Sequence, residues 1–447
     1  FEHDVIPREV RVAIGFLFAL GLVVGGLKLD RVRYAVTAQT LIATGIVSLY
    51  TVTFACRSVY DFAFFEPVPT FLLMVLITGT AFLLAVRLEA QVVAILGILG
   101  GFLTPLLVST GQYNPLGLFT YIALLDVGLV AVALHRRWLY LVPLGAAGTI
   151  ATQIAWAGKF FSDARAIPAV VICGVFAVLF LGATVFARRR QESAPELTWS
   201  AVAMVGVCYG FGMFFLGYPA VGARVGLVFS FVLFANLCLL TLAWFEGLAV
   251  LVGLAAVGTV LLLIGWASEI LTPALAPTTM GVCVGFCAFF LATYLVARRY
   301  GRGAREITWS AVALPLVAFG FALFFLGYPA IGARPGLLFT FVLLADACLL
   351  AIAWCDDEWP KLHLVAGTVV FLLLAAWTAD RLTAPLFSHR WDQGGENPYL
   401  GFLALADAVV VTGDSMSMCS EACASGAPVY IFARDEFVTP KYARFHR

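Results

Sequence analysis

Long apolar segments follow one another along most of this chain, and short polar loops separate them. A helix needs about 20 mostly apolar residues to cross a hydrocarbon layer that is roughly 30 Å thick. The segments are too long for the strands of a membrane β-barrel, and they do not alternate with period two. The pattern therefore predicts fourteen membrane helices, at 12–27, 34–55, 70–86, 91–108, 115–134, 139–158, 167–187, 197–217, 225–244, 248–266, 278–297, 307–327, 335–354 and 362–377.

The composition points to the same class of protein. The 447 residues are 62% hydrophobic and 12% charged, whereas soluble domains are roughly 45–50% apolar and about 25% charged. A net charge of +1 offers no basic surface for nucleic acid. We expect a polytopic membrane protein that is surrounded by the lipid bilayer, with no nucleic-acid partner and no cofactor.

Lys and Arg are distributed unevenly between the two sides of this predicted bundle. Seven fall in the loops of one side and fourteen in those of the other, and the richer side is expected to be cytoplasmic. Phe1 then lies outside. Because the chain begins with Phe1 and has no cleavable signal pattern, we expect a truncated start and a first segment that is a membrane helix.

An internal repeat with an offset of 110 residues organises the apolar region. The segment beginning at Thr198 matches the segment beginning at Thr308 at 31 of 47 positions without a gap. Each unit contains four spans, so successive copies have the same orientation, unlike the inverted repeats of many transporters. The predicted architecture is an all-α bundle of about fourteen spans in tandem four-helix repeats. We divide the chain into a transmembrane region at 1–380 (copies near 88–197, 198–307 and 308–380, and a partial copy at 10–87), a linker at 381–395 and a fragment at 396–447.

Three polar residues recur inside the predicted spans. Asp126, Asn236 and Asp346 are each the twelfth residue of equivalent spans. A carboxylate at the bilayer centre costs roughly 2.5–3.5 kcal/mol on insertion scales, so such residues normally face the bundle interior. One interpretation is a proton relay or substrate contact along a polar path. The other is hydrogen bonding between helices, worth about 0.6 kcal/mol on average, which the Asn in the middle copy favours.

The loops that precede two of these spans are also repeated, as GYPAVGAR (217–224) and GYPAIGAR (327–334). Tyr218 with Arg224, and Tyr328 with Arg334, are candidates for contact with an anionic ligand or a lipid headgroup on the external side. The alternative is that each Tyr and Arg simply anchors a helix end at the membrane interface.

Catalytic and metal-binding patterns are not found in the apolar region. Its His residues do not cluster, and it has no phosphate-binding loop. Cys283 and Cys287 share a helix face but have no further ligands, which favours packing over a zinc site. We predict no metal and no catalytic residues, and we lean against an enzyme.

The run LGILGGFLTPLLVSTGQYNPLGLFTYIALLDVGLVAVAL at 96–134 carries the most specific motif. With its Gly100-Gly101 pair, Pro105, STG turn and Asp-bearing helix, it resembles the bacterial membrane-protein family catalogued as domain of unknown function 2339. The likeness extends over most of residues 8–380. It implies a multi-pass protein of the bacterial cytoplasmic (inner) membrane, and the family has no established activity.

After Trp377 the composition changes to that of a soluble α/β fragment. A strand at 408–412, a turn at 413–415, a helix at 416–425 and a strand at 428–432 are predicted. This partial Rossmann-like fragment is similar to the mitochondrial-fission ELM family, whose bacterial members resemble glycosyltransferases. The resemblance implies that Ser415 and Ser417 approach phosphate and Glu421 the ribose of a nucleotide. The alternative is that these are ordinary N-cap and helix residues.

Three functional hypotheses follow. The first is a transporter-like membrane protein with a polar path lined by Asp126, Asn236 and Asp346. The second is a structural or envelope-organising scaffold in which the repeats only pack together. The weakest is the remnant of a fused glycosyltransferase-like protein.

Overall fold

The architecture comes from a computed structural model of the chain. It describes residues 7–30, 33–60, 62, 64–107, 113–190, 194–355, 361–381, 397–412 and 415–432. The STG turn at 109–111, nearly all of the predicted linker and residues 413–414 of the predicted C-terminal turn lie outside these ranges. By contact density the chain divides into two units, Phe1–Ala375 and Ala376–Arg447.

Fourteen long helices occupy the described part of the apolar region, one for each predicted span. Their bounds are α1 Arg8–Lys28, α2 Ala35–Ser58, α3 Pro67–Leu88, α4 Gln91–Leu107, α5 Pro115–Arg136, α6 Leu141–Phe160, α7 Ala166–Arg189, α8 Pro195–Leu216, α10 Val225–Glu246, α11 Val250–Ile270, α12 Ala276–Arg299, α13 Arg305–Leu326, α15 Pro335–Cys355 and α16 Leu362–Arg381. Two short helices, α9 Pro219–Gly222 and α14 Pro329–Gly332, lie in the repeated loops.

Twelve of these helices are long and apolar enough to cross a membrane. The count differs from the predicted fourteen at α4 and α6. Helix α4 has 17 described residues, and α6 is made more polar by Thr149, Thr152 and Gln153. Large apolar side chains also cover the outward faces, including Leu116 at 80% and Trp354 at 91% exposure. Helices that are apolar on all sides are typical of membrane spans, and the chain is a multi-pass membrane protein.

Helix packing follows the same order in successive parts of the bundle. Helix α8 packs against α6, α7, α10 and α11, α13 packs against α11, α12 and α15, and α4 packs against α2, α3, α5 and α6. Core positions also recur with the offset of 110, because Phe180 and Phe290 are both fully buried, as are Phe215 and Phe325. The last helix of each repeat copy contacts the first helix of the next copy: α3 packs against α4, α7 against α8 and α12 against α13.

The second unit contains a small α/β arrangement. Helix α17 Tyr399–Leu405 precedes strand β1 Val409–Thr412, helix α18 Met416–Ala424 and strand β2 Val429–Phe432. The strands pair in parallel, with Val409 opposite Val429. Helix α18 stops before Gly426, whose φ of 76° is the left-handed conformation that glycine adopts readily. The predicted strand–helix–strand order is therefore confirmed, with bounds that differ by one residue.

Candidate functional site

The repeated Asx residues lie on the buried faces of three equivalent helices, α5, α10 and α15. Asp126 and Asn236 are 0% exposed and Asp346 is 9% exposed. Burial is what a polar residue in a membrane helix requires, because contact with lipid would leave its polar atoms without partners. The contacts of the three residues differ, however, and the differences decide what each of them can do.

Asn236 is held on both sides by hydrogen bonds between helices. The Tyr209 hydroxyl on α8 donates to Asn236 Oδ1 at 2.6 Å, and Asn236 Nδ2 donates to Thr259 Oγ1 on α11 at 2.9 Å. Thr259 Oγ1 lies 2.8 Å from the Ala255 carbonyl and 3.1 Å from Asn236 Oδ1, either of which can accept its single hydroxyl proton. Gly258 lets the Tyr209 ring approach, since a Cβ there would lie 2.7 Å from that ring. We call Tyr209, Asn236 and Thr259 the Asn236 clamp.

Asp126 makes a less complete set of contacts. Thr149 on α6 stands 110 residues before Thr259, and its hydroxyl donates to Asp126 Oδ2 at 2.6 Å. Among the described residues Asp126 Oδ1 has no hydrogen-bond partner, and it lies 3.4 Å from the place where a Cβ on Gly145 would be. Gly148 precedes Thr149 as Gly258 precedes Thr259, and the aromatic ring that lies over Gly148 belongs to Phe102. Because Phe102 has no hydroxyl, nothing equivalent to the Tyr209 bond is formed.

Gln153 adds a second set of buried polar atoms on α6. It lies one turn after Thr149 on the same face of the helix, is 1% exposed, and neither its Nε2 nor its Oε1 has a hydrogen-bond partner among the described residues. The rings of Trp156 and Phe119 lie 5.6 Å apart further along the same antiparallel pair of helices. Gln153 therefore lies between this ring contact and the Thr149–Asp126 bond. We call Asp126, Thr149 and Gln153 the Asp126 centre.

The third copy carries apolar residues at the sequence positions that correspond to the clamp partners of Asn236. Phe319 stands 110 residues after Tyr209 and is 3% exposed, and Val369 stands at the position equivalent to Thr259. No described residue forms a hydrogen bond with Asp346 Oδ1. The second copy thus has both polar residues of the clamp, whereas the third copy has an apolar residue at each of the two corresponding positions.

The sequence reasoning missed the side chains that meet these Asx residues. Thr149, Thr259, Tyr209 and Gln153 were not singled out, although the Thr pair keeps the offset of 110. A further buried set surrounds α4. There the Tyr50 hydroxyl lies 2.7 Å from Thr78 Oγ1, and Tyr121 donates to the Gly101 carbonyl at 2.8 Å.

The first repeated loop is anchored by aromatic and backbone contacts. Tyr218 is half-buried, with its ring 4.7 Å from that of Phe161, while Arg224 is exposed at the start of α10. The Trp266 indole donates to the Gly222 carbonyl at 2.8 Å and ties α11 to the loop. In the second loop Tyr328 is half-buried and Arg334 is exposed in the same way.

In the second unit the predicted nucleotide-contacting residues lie along α18. Ser415 is the N-cap, and its hydroxyl accepts from the Met418 amide at 3.4 Å. Ser417 Oγ lies 3.3 Å from Ser415 Oγ. Glu421 lies beside Tyr399. Burial, and to a smaller extent this carboxylate, raises the pKa of the Tyr399 hydroxyl above its usual value.

Metal-binding geometry is not found among the described residues, which contain no group of three His, Cys, Asp or Glu side chains suited to an ion. Five grooves of about 250 to 690 Å³ lie on the surface of the described helices. Asp126, Asn236 and Asp346 line none of these five, and Asp126 and Asn236 have no exposed surface in this conformation.

Two separate families match the chain. Residues 1–222 match the family described as "Predicted membrane protein (DUF2339)", which includes the Asp126 centre, and residues 374–447 match "Mitochondrial fission ELM1". The mitochondrial fission protein ELM1 of Arabidopsis thaliana is 53% identical over 45 residues, which is 10% of each chain. An uncharacterized protein of Rickettsia prowazekii is 46% identical over 54 residues, 12% of this chain and 15% of the relative. The chain thus spans a small fraction of the curated relatives it matches, and no solved structure matches it.

Proposed function

We propose that this chain is a transporter-like membrane protein in which the Asp126 centre binds a proton or a small polar solute inside the bilayer. One observation carries the proposal: among the described residues, Asp126 Oδ1 and both polar atoms of Gln153 are buried without hydrogen-bond partners. Leaving a buried polar group unpaired costs roughly 1–3 kcal/mol by protein mutational data. Such groups are retained where water or a ligand completes their hydrogen bonds.

The placement of the centre supports this role. Polar residues inside a membrane bundle mark pathways for ions, protons or substrates when they face the interior. The centre is closed in this conformation, so access requires a second arrangement of α5 and α6 around it. That requirement is the ordinary behaviour of a carrier, which never opens its site to both sides at once.

The membrane that we propose is the bacterial cytoplasmic membrane. The relative from Rickettsia prowazekii supports a bacterial source. The excess of Lys and Arg in one set of loops supports an orientation with that side in the cytoplasm.

Proton flux into proteoliposomes tests the proposal. The full chain is reconstituted in vesicles that enclose a pH-sensitive dye, and a pH gradient is imposed. We expect the wild-type protein to carry protons and Asp126→Asn to lose this flux while inserting into the vesicles normally. Asn236→Leu is the matched control and should retain the flux after allowance for the amount of folded protein. Equal flux in the wild type and Asp126→Asn, or no flux in the wild type under any added polar solute, would contradict the proposal.

The second candidate is a structural scaffold, and the Asn236 clamp favours it. All three clamp side chains are used in contacts between α8, α10 and α11, which is what a purely architectural repeat needs. In that case loss of Asn236 weakens the bundle, and loss of Asp126 changes stability alone.

A further inference from the structure

We propose that the groove between α10, α11, α12 and α13 is a binding site for one anionic phospholipid, with the lipid phosphate at Arg302. This inference does not depend on the Asp126 centre. It rests on the shape of the groove, the position of its cation and the excess of positive charge at this end of the helices.

The groove is the right size and polarity for lipid chains. Its volume is about 690 Å³, within the range of roughly 300–1,000 Å³ that is typical of small-molecule sites. The walls are mostly aliphatic and aromatic, and they include Leu240, Val252, Phe289, Ala292 and Val296. An acyl chain that packs against these side chains would leave the apolar bilayer for an equally apolar groove, and its carbons would stay away from the polar loops.

Arg302 is the charged residue in the lining, and it is held in place. Its Nη1 donates to the Trp244 carbonyl at 2.5 Å, and its guanidinium carbon lies 4.3 Å from the centre of the Trp244 ring. The bond uses one of the five N–H donors of a guanidinium. Donors therefore remain for a phosphate, which a guanidinium recognises in a bidentate manner.

Aromatic side chains place this end of the groove at the level of lipid headgroups. The rings of Trp244 and Tyr300 lie 5.3 Å apart, edge to face, and both follow the apolar parts of α10 and α12. Trp and Tyr are enriched at membrane interfaces because one part of the ring is apolar and the other polar. The groove thus runs from the headgroup level toward the hydrocarbon layer.

The charge around the mouth favours an anionic lipid over a zwitterionic one. Four arginines lie within residues 298–305, namely Arg298, Arg299, Arg302 and Arg305. The acidic residues nearest in sequence on the flanking helices α10 and α13 are only two, Glu246 and Glu306. Basic pockets between membrane helices bind anionic headgroups through such an excess of positive charge.

Native mass spectrometry of the detergent-solubilised full chain tests the proposal. Equal amounts of phosphatidylglycerol and phosphatidylcholine are added, and the ratio of the two bound lipids is measured. We expect the wild type to prefer phosphatidylglycerol and Arg302→Gln to lose about fivefold of that preference, the effect of roughly one surface cation. Arg87→Gln is the control, because it removes an exposed cation from the last turn of α3, a helix that does not line the groove.

Further variants separate a lipid site from a bare phosphate site. Ala292→Trp should fill the groove and lower lipid binding while Arg302 remains, and this variant decides the matter if Arg302→Gln does not fold. Excess inorganic phosphate should not displace the lipid. The proposal is overturned if Arg302→Gln keeps the wild-type preference, if Arg87→Gln loses as much, or if inorganic phosphate competes.

Discussion

Exchanging one hydroxyl between the second and third copies tests the reading of the Asn236 clamp. Tyr209→Phe removes the bond to Asn236 Oδ1, which is 2.6 Å long. Phe319→Tyr is the reciprocal change. It adds a hydroxyl at the buried position that corresponds to Tyr209 in the copy of Asp346, whose Oδ1 has no hydrogen-bond partner in the described part of the chain. We expect the first change to destabilise the folded bundle and the second to stabilise it.

The size of the effect follows from the contacts that remain. Asn236 keeps its bond to Thr259 when Tyr209 is lost, so one interhelical hydrogen bond is removed and the ring packing stays. Such bonds are worth about 0.6 kcal/mol on average and up to about 1.7 kcal/mol in a membrane protein. The unfolding equilibrium constant should therefore change by about threefold to about eighteenfold, upward for Tyr209→Phe and downward for Phe319→Tyr.

Reversible unfolding in mixed micelles, by titration with sodium dodecyl sulfate, measures both changes on the full chain. Tyr121→Phe serves as a reference, because the Tyr121 hydroxyl donates to a backbone carbonyl and not to an Asx side chain. If both variants unfold like the wild type, the polar contacts do not hold the helices together. If Phe319→Tyr destabilises the bundle, the copies do not share the geometry inferred from the offset of 110.

Three further predictions concern packing and surface charge. Gly258→Ala should destabilise the bundle by about 1–3 kcal/mol, because its Cβ would lie 2.7 Å from a ring, whereas Gly253→Ala on the same helix meets nothing within 4 Å and should be neutral or stabilising in the same titration. Trp266→Phe should cost about 1 kcal/mol of unfolding free energy through its lost bond to a backbone carbonyl. Trp156→Phe should cost less, because the Trp156 indole nitrogen has no partner among the residues that the structure describes. Glu89→Gln should change stability by less than about 1 kcal/mol, and only at low salt, because the carboxylate of this ion pair is 72% exposed.

The membrane architecture could be predicted from the sequence because it depends on short-range patterns. Apolar segment length determines where a span begins and ends, and each predicted span corresponds to a described helix. The strand, helix and strand around Met416 also depend on local sequence signals, since Gly426 and the alternating apolar positions mark their ends. The repeat was visible because Trp, Tyr, Pro and Arg kept one offset.

The partners of the Asx residues could not be predicted in the same way. A threonine in an apolar helix usually bonds to its own backbone four residues earlier, as Thr184 does with Phe180 at 3.0 Å. Thr149 instead reaches Asp126 on the next helix, and nothing local distinguishes the two cases. Which helices are neighbours, and which face of each is turned inward, depends on packing over the whole bundle.

The most direct test of the central claim is whether a polar reagent reaches the Asp126 centre within the bilayer. Gln153→Cys and Leu263→Cys place a thiol at equivalent positions of the first and second copies, both buried, in a background where the native cysteines are replaced. Labelling by a small water-soluble methanethiosulfonate is followed by the mass of the reconstituted full chain. The account predicts that Gln153→Cys is labelled and Leu263→Cys is not. Equal labelling of the two thiols, or no labelling of either, would contradict it.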